Sequence, residues 1–140
     1  MAGDKRMKIP GPDHPISVEP NPSRVVVKVG GKVIADTRNA LTLREASYPA
    51  AQYIPRRDVD MAALTRSKHT SYCPYKGEAS YYDIVQTDAT IHGDVDGPDL
   101  TAAVWYYPDP FPAVAGIQGH VAFYADRVAI IASPSESTVR

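Results

Sequence analysis

The chain has 140 residues, 44% of them apolar and 22% charged, with a net charge of −1, which suits one soluble globular domain with a real core. No membrane span is expected, because the longest unbroken apolar run, Ala102 to Tyr107, is six residues where about 20 are needed. A single cysteine excludes an internal disulfide, and no Cys/His cluster has zinc spacing, so neither metal nor cofactor is expected.

Met1-Ala2-Gly3-Asp4-Lys5-Arg6 lacks the apolar core of a signal peptide, which makes a cytoplasmic location the expectation. Residues 1–22 hold five of the thirteen prolines and no apolar periodicity. Proline removes donors and fixes φ, so this arm is expected to be extended and partly disordered, with Ile16 and Val18 as its contacts to the domain. Residues 23–132 read as the single β domain, and 133–140 as a loose tail.

Arg24 to Val29 and Lys32 to Thr37 flank Gly30-Gly31 and predict a β-hairpin, since β-branched runs adjoin a two-residue turn that needs positive φ. Leu41-Thr42-Leu43-Arg44-Glu45 alternates and predicts a third strand. Gln52-Tyr53-Ile54-Pro55 reads as a short strand stopped by proline. Met61-Ala62-Ala63-Leu64 reads as one helical turn capped by Asp58 or Asp60.

The stretch from His69 to Tyr82 is the densest in chemistry, with four of nine tyrosines, the one cysteine, a histidine and a lysine around a Pro74–Gly77 bend. Ala79 to Val85 reads as a strand. Asp88 to Leu100 is expected to be a loop, in which His92, Asp94 and Asp96 mimic part of a calcium loop without its closing glutamate. Ala102 to Tyr107 predicts a buried strand, Phe111 to Gly116 a turn of helix, and His120 to Tyr124 and Arg127 to Ile131 the last strands. Many short strands with scraps of helix predict a mainly β fold, a small antiparallel barrel or sandwich.

Four ordered motifs carry a family resemblance: Tyr53-x-Pro55-Arg56-x-Asp58-Val59, Thr70-x-x-Cys73-Pro74-Tyr75-Lys76-Gly77, Ala103-x-Trp105-x-Tyr107-Pro108-x-Pro110 and Gly119-His120-Val121-Ala122-Phe123-Tyr124. Together they resemble family 427 of the domains of unknown function, a small bacterial domain family sometimes labelled a nucleotidyltransferase domain. The resemblance covers roughly residues 23–131. It implies a compact β-tent-like or small-barrel fold, and it marks Arg56, Asp58, Thr70, Cys73, Lys76, Trp105 and Phe123. Nucleotidyl transfer itself is not expected. Gly30-Gly31 is explained as a hairpin turn, Asp58 and Asp60 as helix caps, and no phosphate-cradling lysine motif is present.

Cys73 is a candidate nucleophile, with Lys76 to depress its pKa and His69 or His120 as base. The plain alternative is a small buried hydrophobe beside a turn. Residues 1–76 carry 13 Lys/Arg against 7 Asp/Glu, and residues 77–140 carry 2 against 9. This asymmetry admits a local anion site built on Arg56 and Lys76, or structural ion pairs of those cations with Asp58 or Glu78. No long basic stripe exists, so nucleic acid is not an expected partner. The alternation Tyr81/Tyr82 and Trp105/Tyr106 sends one ring of each pair to either face of a sheet. The leading expectation is therefore a cleft binding a small anionic molecule, lined by Arg56, Asp58, Thr70, Tyr75, Lys76, Trp105 and Tyr107. An enzyme using Cys73 and a structural or interaction module are the alternatives.

Overall fold

A computed structural model describes residues 7–85 and 100–133. Ten strands follow one another: β1 (Ile16–Asn21), β2 (Arg24–Val29), β3 (Lys32–Thr37), β4 (Ala40–Glu45), β5 (Ala51–Pro55), β6 (Leu64–Cys73), β7 (Gly77–Ile84), β8 (Val104–Tyr106), β9 (His120–Phe123) and β10 (Ala129–Ser133). Short 3-10 turns at Arg56–Asp58, Met61–Ala63 and Pro112–Ile117 are the helical elements among the described residues. None is long or apolar enough to cross a membrane.

All strand pairings are antiparallel. Seven strands form one sheet in the order β1-β4-β5-β9-β8-β7-β6, and three form a second in the order β10-β2-β3. Neither sheet closes on itself, so the mainly β antiparallel fold expected from the strand spacing is realised as two open sheets and not as a closed barrel. The physical reason lies in the ends. β1 and β6 occupy the two edges of the large sheet and do not pair with each other.

The β2–β3 hairpin turns at Gly30 (φ +57°) and Gly31 (φ +83°), with Val29 opposite Lys32. β1 lies in the proline-rich arm and pairs with β4 from Ile16–Glu45 to Asn21–Ala40. Its edge position suits prolines, which cannot donate to a second neighbour. The expected cap at Met61–Ala63 is absent as a side-chain bond. Asp58 instead accepts from the Thr37 hydroxyl at 2.7 Å.

Alternation builds two cores on the two faces of the large sheet. Ile54, Tyr82, Val104 and Val121 face β2 and β3, where Val25, Val27 and Ile34 close the first core. Tyr53, Tyr81, Trp105 and Ala122, their chain neighbours, face the other way with Leu43, Tyr107, Val114 and Ile117. The expected Asp88–Leu100 loop, with His92, Asp94 and Asp96, lies almost entirely outside the described residues, as does the tail after Ser133.

Candidate functional site: an aromatic cleft on the open sheet face

The second face of the large sheet is only partly covered. Val114 and Ile117, from the 3-10 turn that Pro112 opens, bury one part of it. The remainder is a cleft of about 790 Å³. Its walls are rings: Tyr53 from β5, Tyr81 from β7, Trp105 from β8, and Tyr107 and Tyr124 from the segments beyond β8 and β9. The strand period puts them on one face, and the large sheet spaces them. Tyr53 and Trp105 meet edge to face at 6.1 Å, and the Trp105 indole N–H donates to the Tyr53 hydroxyl at 2.9 Å. Tyr124 lies 4.5 Å from the Trp105 ring.

One end of the cleft is ionic. Glu45, at the end of β4, is 8% exposed. It accepts from Lys76 through one carboxylate oxygen and sits 2.7 Å from His14 Nε2 through the other. Lys76 also rests 5.8 Å from the centre of the Tyr107 ring. His14 stacks on Tyr75 at 4.0 Å, nearly parallel, so the N-terminal segment is locked to the β6–β7 loop. A backbone bond from Lys8 to Pro74 completes that lock, and one from Ala46 to Pro15 ties the segment to the end of β4. Burial pushes the Glu45 carboxyl upward, but the hydrogen bonds from Lys76 and His14 outweigh it and hold the group below its ordinary value. The phenols behave oppositely. Burial pushes Tyr53 and Tyr107 well above their usual value, and burial with the Tyr81 hydroxyl beside it pushes Tyr124 up to about 12.

Of the residues expected from the sequence to form a site, Lys76, Trp105 and Tyr107 line this cleft. Tyr75 stands one residue behind, through His14. Cys73 is half-buried and packs against the same core. Arg56 is elsewhere: its guanidinium lies 5.7 and 5.8 Å from the Tyr82 and Tyr106 rings, which belong to the opposite face. Asp58 is held by Thr37, and Thr70 is exposed on β6 opposite Ser80. The carboxylate partner of Lys76, expected to be Asp58 or Glu78, is Glu45, 31 residues away.

The two candidate bases do not reach the thiol. His69 leans on the Tyr81 ring at 4.5 Å. Four residues of extended chain separate it from Cys73, about 13 Å. His120 turns its Nδ1 toward the Gln118 carbonyl at 3.0 Å. Glu45 escaped the sequence reading although it left a signal: Leu41, Leu43 and Glu45 share one face by alternation, so a carboxylate occupies an apolar position. Tyr53 likewise left a signal, as the first residue of a motif. His14 left no signal, because only the tertiary fold brings it to Glu45.

Among the described residues no cluster of His, Cys, Asp and Glu could hold a metal ion. A second hollow of about 470 Å³ lies between Arg24, Asp36, Thr37, Arg38, Asn39 and Asp58. Arg24 and Asp36 pair there through two hydrogen bonds. The sequence matches a family described as Domain of unknown function (DUF427) over residues 17–133. No curated protein matches it.

Proposed function

For a chain that belongs to the DUF427 family, whose description assigns no activity, we propose from its own residues that it is a small-molecule-binding module. Its ligand is a planar organic molecule that packs against the ring surface of Trp105 and Tyr124, with Tyr53 behind them. The observation that carries this reading is the open aromatic cleft of about 790 Å³ on a sheet face that is otherwise packed. Ligand pockets run roughly 300–1,000 Å³, with apolar and aromatic walls and few polar groups. Rings offset against a planar ligand add about 0.5–1.5 kcal/mol each beyond area burial.

The anionic preference expected from the sequence gives way to a neutral ligand in this reading. Lys76 is the one cation lining the cleft among the described residues, and Glu45 already neutralises it. Catalysis by Cys73 finds no support, since neither imidazole hydrogen-bonds to the thiol.

Trp105 is the only tryptophan, so its indole N–H gives a single NMR signal at the cleft wall. Titrating the protein with planar bicyclic fragments is expected to shift that signal to saturation, while saturated rings of equal size leave it in place. A signal unmoved by every planar fragment overturns the proposal and leaves a structural module.

A further inference from the structure

The hydrogen-bonding valences around the cleft are unevenly spent. The Glu45 oxygens are taken by Lys76 and His14. The Trp105 N–H is taken by Tyr53. Gln52 spends its amide oxygen on Asn21 and Thr42, side chains of β1 and β4. Ser71 and Tyr81 engage each other at 2.9 Å. At the rim, Asp126 is exposed and solvated.

Donors remain. Tyr107 is 6% exposed, lines the cleft and makes no hydrogen bond among the described residues. Tyr53 is 1% exposed and its oxygen accepts from Trp105, which leaves its O–H to give. Lys76 has N–H groups beyond the one pointed at Glu45, directly over the Tyr107 ring. Because no fully buried side-chain polar atom lacks a partner among the described residues, the unbonded Tyr107 hydroxyl is not sealed in the core but reaches the open cleft, where a ligand that displaces water must satisfy it.

We infer that this donor set reads a carbonyl oxygen on the planar ligand, with the Tyr107 hydroxyl as the specificity-determining group and Tyr53 beside it. The inference rests on the cleft being the ligand site. Burial keeps both phenols protonated through the neutral range, so they donate and do not accept a proton. The ionised Glu45 at the same end disfavours a carboxylate in that position and favours a neutral carbonyl. Buried donors discriminate strongly, because a ligand without the matching acceptor leaves them unpaired.

The test compares 1-indanone with indane, bicyclic probes of nearly equal size that differ in one carbonyl, followed by the Trp105 indole signal and by calorimetry. Wild type is expected to bind 1-indanone at least about tenfold more tightly than indane, the worth of one well-placed hydrogen bond. Tyr107→Phe removes only the unpaired hydroxyl and should fold normally. It is expected to abolish that difference by lowering 1-indanone affinity to the level of indane. If wild type binds both probes equally, or if Tyr107→Phe keeps the full preference, the carbonyl inference fails and the planar-ligand reading stands. If neither probe nor any other planar fragment shifts Trp105, both fail.

Discussion

Glu45 decides more than any other single residue. Its carboxylate joins Lys76 from the β6–β7 loop and His14 from the N-terminal segment, so one side chain ties three distant stretches of chain. Because its folded pKa is depressed, its contribution to stability is fully present above the ordinary glutamate value of 4.5. That contribution is lost as pH falls below 4.5 through the depressed value. Glu45→Gln is therefore expected to lower stability at pH 7 by about 2 kcal/mol, since Lys76 keeps a nearly buried charge without its partner. It is also expected to flatten the acid-side decline. Urea unfolding between pH 7 and pH 3 measures both, and an acid slope equal to wild type removes Glu45 as the linked group.

Hairpins show what an element demands of its glycines. At the β6–β7 connection, Pro74, Tyr75 and Lys76 form the loop and Gly77 re-enters the sheet opposite Cys73 at φ +115°. A Cβ there would come within 3.3 Å of the Asp109 carbonyl, on the segment whose Phe111 N–H bonds to Lys76. Strain and contact act together, so Gly77→Ala is expected to cost about 2 kcal/mol, in the range of a non-glycine residue forced into such a conformation. Gly11→Ala, with open space around it, is the control and should change stability by less than about 0.5 kcal/mol. Equal melting temperatures for the two variants would show that the loop is not held at this geometry. The same connection places Lys76 on the cleft wall, which is why a loop cation is largely withdrawn from water.

Both faces of the large sheet are apolar, so the molecule has two cores sharing one set of strands. Ile54, on the face toward β2 and β3, is 1% exposed, and Ile117, on the cleft side, is 0% exposed. Truncation of either to alanine is expected to cost about 3 kcal/mol. Because the strands are common property, either change should shift one cooperative transition, with Trp105 fluorescence and far-ultraviolet circular dichroism coinciding. Transitions that separate in Ile117→Ala but not in Ile54→Ala would show that the cleft side unfolds by itself. A cleft with such freedom would not be preorganised for a ligand.

Local chemistry made the strands legible. The Gly30-Gly31 turn, the alternation of Leu41-Thr42-Leu43 and the opposed faces of Tyr81 and Tyr82 all follow from dihedral limits and a period of two, which act between near neighbours in the chain. β6 was not legible. Leu-Thr-Arg-Ser-Lys-His-Thr-Ser-Tyr-Cys has no apolar alternation, because it is an edge strand mostly exposed to water, and the register shift between Arg66 and Thr70 further blurs its period. The rings of the site were visible as candidates, and so was Lys76. What only the tertiary structure decided was partnership: Glu45 rather than Asp58 or Glu78 for Lys76, Tyr82 and Tyr106 rather than the cleft for Arg56, and open sheets rather than a barrel. Those outcomes depend on strand order, and strand order is set by the joint burial of two sheet faces, a sum over contacts between residues far apart in the chain.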